Sequence, residues 1–266
     1  SEISAHTSGS SISIDGQNEG FTLTGNNAGD TLIGGGGADI IQGKGGDDTL
    51  TGNGGNDLFK IETATDTVTD LTNGDNFQVS GTAIMNANDI TSFSAGGTTS
   101  NASTSTANLY AHTTSSTTID MSGAGSGKFK IFVSGGTDNI KGGTDDDIIT
   151  ITASGKGDAD TIDGHTHGGS GDTLALSTGT HTFTTHDDKI KNIEEIKVDT
   201  GAGSTVVLTN QTEGFKITIS DQTDSITGSD GNDIIVILSA GDGNNDTLIG
   251  GAGDDVINLS AGSHTF

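Results

Sequence analysis

Polar and apolar residues follow a nine-residue rhythm near the start of the chain. Residues 25–60 divide into four nonapeptides, and each contains an aspartate followed two positions later by an apolar side chain. The last three residues of each unit predict a short strand with one inward side chain. The leading glycines predict a tight turn, because glycine adopts positive φ at little cost. Two units then form one turn, and the pattern predicts an all-β solenoid of stacked strands.

The same aspartate-x-apolar pattern recurs in three runs of four. The aspartates are Asp30, Asp39, Asp48, Asp57, Asp138, Asp147, Asp160, Asp172, Asp224, Asp233, Asp246 and Asp255. Their apolar partners are Leu32, Ile41, Leu50, Phe59, Ile140, Ile149, Ile162, Leu174, Ile226, Ile235, Leu248 and Ile257. A disordered glycine-rich linker is the alternative interpretation. Such a linker has no reason to keep an apolar residue in register twelve times.

A longer repeat contains the nonapeptide repeat. Residues 134–183 resemble residues 220–266 over their whole length. Both copies place their middle aspartates farther apart than the nonapeptide rhythm requires, and this shared lengthening predicts a widened corner of the solenoid. A phenylalanine lies one nonapeptide before the first aspartate of each run, and we expect it to open a strand and to plug one end of a roll. These residues are Phe21, Phe129 and Phe215.

This organisation predicts four segments of the chain. The first strand pair, its roll and a closing segment occupy 1–82, and a Ser/Thr-rich polar segment occupies 83–118. The second repeat unit covers 119–187 and the third covers 188–266. The third unit lacks the continuation that follows the second, so we expect the natural protein to continue beyond it.

The segments between the runs carry weaker patterns. After the first run we expect four inward residues, Val68, Leu71, Phe77 and Val79. Residues 90–118 are rich in Ser, Thr and Ala, and they fit either further polar solenoid turns or an exposed loop. The apolar spacing of residues 188–199 permits a short helix or a strand, and we favour a strand.

Composition adds a strong preference for cations. The 266 residues carry a formal net charge of −26, with 29 % hydrophobic residues and no cysteine. Such a chain repels nucleic acid and anionic membrane surfaces, and no apolar run approaches the roughly 20 residues of a membrane span. A small apolar fraction and the absence of disulfides leave a metal as the natural means of holding the fold together.

The aspartate spacing indicates which metal. Equivalent aspartates stack about 4.8 Å apart in successive turns, where two carboxylates repel by about 1 kcal/mol in water. A divalent cation reverses the sign of that interaction. Ca²⁺ accepts six to eight oxygen ligands, which carboxylates and the carbonyls of glycine-rich loops provide, whereas Zn²⁺ prefers His or Cys. We therefore predict several Ca²⁺ ions, bound at the twelve aspartates.

The nonapeptides GGGGADIIQ and GSDGNDIIV resemble the consensus GGxGxDxUx of the RTX family, where U is apolar. The resemblance implies a right-handed parallel β-roll whose calcium ions lie between loops one turn apart. It also implies that Asp30 pairs with Asp48 and Asp39 with Asp57. On this interpretation Asp48→Ala weakens folding more than Asp75→Ala, because we expect only Asp48 to lie in loop register.

Catalytic motifs are not apparent, and we expect no enzymatic activity from this chain. The sequence contains no G-x-S-x-G nucleophile turn and no H-E-x-x-H zinc motif. His165 and His167 are a weak candidate for a transition-metal site. The simpler interpretation is that both histidines lie in an exposed loop.

The resemblance to large RTX surface proteins implies a secreted, calcium-dependent structural protein of a bacterial surface layer or similar assembly, exported by type I secretion. An RTX adhesin stalk and the repeat region of a secreted hydrolase are the alternatives. We expect self-association into a lattice or filament, and a cell-surface glycan is a further candidate partner. Neither nucleic acid nor membrane insertion is expected.

Overall fold

The computed structural model describes residues 1–6, 8–153, 159–185, 187, 189–198, 203–219, 223–238, 246–259 and 264–265. These residues form short strands, and none of them lies in a helix. The strands are β1 (Glu2–Ser4), β2 (Ser11–Ser13), β3 (Thr22–Thr24), β4 (Thr31–Ile33), β5 (Ile40–Gln42), β6 (Thr49–Thr51), β7 (Leu58–Ile61), β8 (Thr65–Val68), β9 (Asn76–Val79), β10 (Ile84–Ile90), β11 (Ser92–Ser94), β12 (Ser100–Asn101), β13 (Ala107–Ala111), β14 (Thr118–Asp120) and β15 (Phe129–Val133). They continue with β16 (Asn139–Lys141), β17 (Ile148–Ile151), β18 (Thr161–Asp163), β19 (Thr173–Leu176), β20 (Thr180–Thr182), β21 (Ile190–Lys191), β22 (Glu195–Val198), β23 (Thr205–Val207), β24 (Lys216–Ile219), β25 (Ser225–Thr227), β26 (Ile234–Ile237), β27 (Asp246–Ile249), β28 (Val256–Asn258) and β29 (His264–Thr265).

One sheet runs along the entire solenoid. This long sheet has 13 parallel strands in the order β2-β4-β6-β8-β10-β13-β15-β17-β19-β22-β24-β26-β28. Three shorter parallel sheets follow one another beside it. They have the orders β1-β3-β5-β7-β9-β12, β11-β14-β16-β18-β21 and β20-β23-β25-β27-β29. The predicted all-β solenoid is therefore confirmed.

The strand register gives the length of each turn. In the first run Thr31 pairs with Thr49, so one turn takes two nonapeptides, as the spacing of the aspartates predicts. In both later runs the equivalent step is four positions longer, since Asn139 pairs with Thr161 and Ser225 with Thr247. The lengthened loops include 154–158 and 239–245, which lie outside the described residues, and so does the predicted widened corner.

The core is a narrow column of inward side chains, one or two from each strand. Of the twelve apolar partners in the aspartate-x-apolar pattern, eleven are buried and Ile257 is partly buried. The four residues expected inward after the first run, Val68, Leu71, Phe77 and Val79, are also buried. Period-two burial in strands of three to four residues accounts for this regularity.

The two ambiguous segments both form strands. Residues 90–118 contribute β11, β12, β13 and the start of β14, so they continue the solenoid instead of forming a loop. Small or polar residues occupy part of the interior there, including Thr99 and Ala107 at 0 % exposure, beside the large Phe93 and Leu109. Within residues 188–199, the preferred strand is confirmed by β21 and β22.

None of the three phenylalanines caps an end of a roll, so that expectation is wrong. Strands pair on both sides of each one, through β1–β3–β5 beside Phe21, β13–β15–β17 at Phe129 and β22–β24–β26 beside Phe215. Phe129 instead joins two runs, because its ring packs edge-on against Phe77, with centroids 6.0 Å apart. Phe77 also stacks on Phe93, so aromatic packing fills the core between the first and second runs.

The division of the chain into four segments stays a prediction. In three dimensions the long sheet crosses each of the predicted boundaries without interruption. Continuous hydrogen bonding between neighbouring turns makes one extended body of the described residues.

Candidate metal centre

Aspartates in successive turns are tied together by hydrogen bonds, in an arrangement that we call the aspartate ladder. In the first run the backbone N–H of Asp30 donates to Oδ1 of Asp48 at 2.7 Å. The N–H of Asp39 likewise donates to Oδ1 of Asp57 at 2.8 Å. The partners that the resemblance implied are therefore adjacent, one turn apart.

The later runs repeat this arrangement with longer turns. In four pairs the backbone N–H of the first aspartate donates to the carboxylate of the second. The pairs are Asp138 and Asp160 (2.9 Å), Asp147 and Asp172 (2.6 Å), Asp224 and Asp246 (3.0 Å), and Asp233 and Asp255 (2.9 Å). Eleven of the twelve predicted aspartates are buried, and Asp255 is half-buried. The structure thus places all twelve at equivalent positions, and their role as metal ligands stays a prediction.

The ladder contains three acidic residues that sequence reasoning missed. Asp66 accepts the N–H of Asp48 at 3.0 Å, and Asp75 accepts the N–H of Asp57 at 2.9 Å. Glu194 accepts the N–H of Asp172 at 2.6 Å through Oε2. The expectation that Asp75 lies out of register is therefore wrong.

The signal for these residues was present in the sequence. Asp66 and Asp75 continue the nonapeptide spacing from Asp57, and each is followed two positions later by an apolar residue. Glu194 follows Asp172 by the same longer step that separates Asp138 from Asp160, and it lies two positions before Ile196. All three lack the leading glycines, as the predicted Asp224 also does, and Glu194 is in addition not an aspartate.

Phenylalanine takes the aspartate position where a ladder begins. The N–H groups of Phe21, Phe129 and Phe215 donate to Asp39, Asp147 and Asp233 respectively, each at 2.7 Å. The backbone pattern is thus preserved, but the side chain brings no carboxylate. Each phenylalanine therefore ends a column of acidic groups without ending the solenoid.

Several ladder carboxylates have an oxygen that lacks a partner. The Oδ2 atoms of Asp48, Asp57, Asp66 and Asp172 are buried and make no hydrogen bond with any residue that the structure describes. An unsatisfied buried carboxylate oxygen is costly, since both solvent and donors are missing. These atoms are the clearest indication in the structure that the ladder accommodates a cation.

Backbone carbonyls lie beside these carboxylates. A Cβ atom placed on Gly34 would lie 2.5 Å from Oδ2 of Asp39 and 2.6 Å from the carbonyl oxygen of Gly52. Only glycine fits this position without a shift of its neighbours, because two oxygens from successive turns converge on it. A carboxylate and a carbonyl from neighbouring loops are oxygen ligands of the kind that Ca²⁺ prefers.

The electrostatics of the ladder are unfavourable in the absence of a cation. Burial raises the pKa of Asp57, Asp66 and Asp172 to about 7, and neighbouring acidic groups contribute to the rise. Burial likewise raises the pKa of Asp147 to about 6. Hydrogen bonds from backbone N–H groups lower each of these pKa values only in part. A bound divalent cation favours the ionised carboxylates and so removes this penalty.

Side chains alone do not make a complete site. Within the described ranges, no three His, Cys, Asp or Glu side chains converge so as to hold a metal ion. Loop carbonyls must therefore supply much of the coordination. This requirement suits Ca²⁺, which accepts neutral oxygens, and argues against Zn²⁺.

A comparison with protein families identifies the repeats. The model of the RTX calcium-binding nonapeptide repeat matches in four copies, at residues 24–59, 132–150, 220–236 and 238–263. The chain carries RTX calcium-binding repeats. Comparisons with curated proteins and with solved structures find no significant match.

RTX nonapeptide repeats bind Ca²⁺ in multiple turns, so Ca²⁺ is the metal of this roll. The residues present fit that ion, because buried carboxylate oxygens without partners lie beside loop carbonyls. Bound Ca²⁺ supplies positive charge that offsets the stacked carboxylates. The aspartates of the RTX loops and the carbonyls of their glycines would hold it. The ladder extends beyond the matched repeats, because Asp66, Asp75, Asp172 and Glu194 all lie outside them.

Proposed function

We propose that this calcium-binding repeat module serves as an extracellular structural rod in a bacterial surface layer or a similar surface-associated assembly. The observation that carries the proposal is the uninterrupted 13-stranded sheet, which joins all three runs into one body. Turns that are each hydrogen-bonded to the next form a rigid spacer. Cytosolic Ca²⁺ is scarce, so the acidic chain stays unfolded for export and folds outside the cell.

Two further observations are consistent with this role. Proteins with RTX repeats are typically secreted, and type I secretion is the route that we propose here. No described segment forms a helix long and apolar enough to cross a membrane. We propose that this chain contributes structure instead of catalysis.

Electron microscopy and sedimentation of the purified chain, before and after addition of millimolar Ca²⁺, test the proposal. We expect ordered sheets or filaments that form with Ca²⁺ and dissolve with EGTA. A folded, monodisperse monomer at high protein concentration would contradict the assembly role. That result would favour an adhesin stalk or the repeat region of a secreted hydrolase.

A further inference from the structure

Three open cavities lie side by side on the outer surface of the long sheet, between β13 and β22. Their volumes are about 320, 210 and 150 Å³. The two smaller cavities share Lys128, Asp146 and Ile148, and the largest shares Lys197 with the middle one. Together they form one continuous groove across the strands, which we call the lysine groove.

Basic residues are concentrated along this groove. The chain has ten basic residues against 36 acidic ones, and all ten are lysines. Three of them, Lys128, Lys130 and Lys197, line the groove, and Lys216 lies on the same sheet surface beside Glu195. The groove therefore gathers ammonium groups on a strongly acidic molecule, beside the carboxylates of Asp146, Asp147 and Glu195.

The carboxylates in the groove are already engaged. Asp146 accepts the N–H groups of Gly169 and Ser170 at 2.8 and 3.0 Å, and it pairs with Lys128 at 3.0 Å. Glu195 pairs with Lys197 and Lys216 at 3.0 and 2.8 Å. A third carboxylate, that of Asp147, is buried in the aspartate ladder.

Lys130 differs from its neighbours. It has no ion pair within the described part of the chain, and its Nζ lies 5.6 Å from the centre of the Phe132 ring. The lysine ammonium is thus held at the groove by an aromatic ring, with its charge uncompensated by a carboxylate.

An aromatic pair borders the groove. Tyr110 and Phe132 stack with ring centroids 4.5 Å apart and nearly parallel planes. Neither belongs to the hydrophobic core, although the buried phenylalanines do. Phe132 lies directly opposite Thr150 in the parallel strand pair β15–β17, and Thr150 lines the cavity of about 320 Å³. Ile148, 37 % exposed, adds apolar surface to the groove floor.

We propose that the lysine groove binds a carboxylate-bearing polysaccharide. Charge complementarity selects the ligand, because Lys130 has no carboxylate partner among the described residues. Lys128 and Lys197 are paired with Asp146 and Glu195, but they stay 66 % and 53 % exposed and can add contacts to an anion. The aromatic pair and Ile148 offer apolar surface to the C–H faces of sugar rings. The groove crosses strands spaced about 4.8 Å apart, close to the length of one pyranose unit, so an extended chain can repeat its contacts from turn to turn.

Fluorescence anisotropy of labelled hyaluronan oligosaccharides, with the full chain folded in millimolar Ca²⁺, tests this proposal. Hyaluronan carries one carboxylate in each disaccharide, and dextran of similar size serves as the neutral comparison. We expect binding to hyaluronan that weakens with salt, and no comparable binding to dextran. Circular dichroism of every variant confirms that the fold is intact.

Variants distinguish polysaccharide binding in the groove from binding elsewhere on the surface. Lys128→Gln with Lys130→Gln should weaken hyaluronan binding by about tenfold, which equals the loss of two modest charge contacts. Tyr110→Ser should weaken it by about threefold, since a stacked ring is lost. The matched control combines Lys60→Gln with Lys191→Gln on the shorter sheets, which removes the same charge and should leave binding unchanged.

Three results would overturn the proposal. They are the absence of hyaluronan binding by the unmodified chain, equal binding of dextran, and equal losses in the groove and control variants. Groove variants that abolish self-association in sedimentation, with no polysaccharide bound by the unmodified chain, would assign the groove to a second copy of this chain.

Discussion

Replacing Asp66 by asparagine should change stability in opposite directions with and without Ca²⁺. Burial raises the pKa of Asp66 from 3.8 to about 7, and the N–H of Asp48 lowers that pKa only in part. At 1.36 kcal/mol per pKa unit, ionising this group in the folded metal-free chain costs on the order of 4 kcal/mol at most. Solvent screening reduces this to about 2 kcal/mol.

Asparagine keeps an oxygen for the N–H of Asp48 and removes the buried charge. In EGTA at pH 8 we therefore expect Asp66→Asn to stabilise the folded state by about 2 kcal/mol. With Ca²⁺ the variant should be destabilised by about 3 kcal/mol, because one partner of a buried charge interaction is lost. Asp15→Asn removes the same charge from an exposed position and should have little effect in either condition.

Two titrations followed by circular dichroism measure these effects. Urea unfolding in excess Ca²⁺ gives the stability of the metal-bound chain. In EGTA, the concentration of a stabilising osmolyte that induces β structure reports on the metal-free chain. A loss of stability in EGTA as well as in Ca²⁺ would show that the ionised carboxylate stabilises the fold without a cation, and it would refute the cation interpretation.

Three further predictions follow from the ladder and the core. Because Asp57, Asp66 and Asp172 have folded pKa values of about 7 against 3.8 when unfolded, the folded metal-free chain binds more protons. Its stability should therefore fall as the pH rises from about 4 to 7, seen as loss of β signal in EGTA. Gly34→Ala should lower the stability of the Ca²⁺-bound chain by about 1–3 kcal/mol in urea titrations, because the added Cβ meets two oxygens. The control is Gly97→Ala, which should have little effect because a Cβ on Gly97 comes no closer than 4.0 Å to its neighbours. Phe129→Ala should cost about 3–5 kcal/mol with Ca²⁺ present, since the ring fills the core between two runs, and an unchanged urea midpoint would contradict that packing role.

The architecture was predictable because one side-chain rule repeats along the chain. An aspartate followed two positions later by an apolar residue marks both the carboxylate position and the inward residue of each strand. Strand register then follows from spacing, as the step of two nonapeptides from Thr31 to Thr49 shows. The structure of residues 90–118 was not predictable in this way, because small and polar residues such as Thr99 and Ala107 take several of the inward positions and hydrophobic periodicity is weak there.

The candidate site was predicted only within the three runs of four aspartates, and acidic residues that continue the same spacing beyond a run were missed. Asp66 and Asp75 occupy the same ladder without glycine-rich loops, because their hydrogen bonds depend on register instead of loop composition. Glu194 was missed because the rule required an aspartate, whereas here a glutamate accepts the ladder hydrogen bond, from the N–H of Asp172. The role of Phe129 was misjudged because the sequence does not reveal that the sheet continues past it.

The central claim is that Ca²⁺ bound along the ladder folds this chain. Far-ultraviolet circular dichroism of the purified chain in EGTA at neutral pH and low ionic strength, followed by Ca²⁺ addition, tests it most directly. We expect a spectrum with little β structure in EGTA and a cooperative gain of β signal with Ca²⁺, which Mg²⁺ at the same concentration does not reproduce. A β spectrum that persists unchanged in EGTA would contradict the claim.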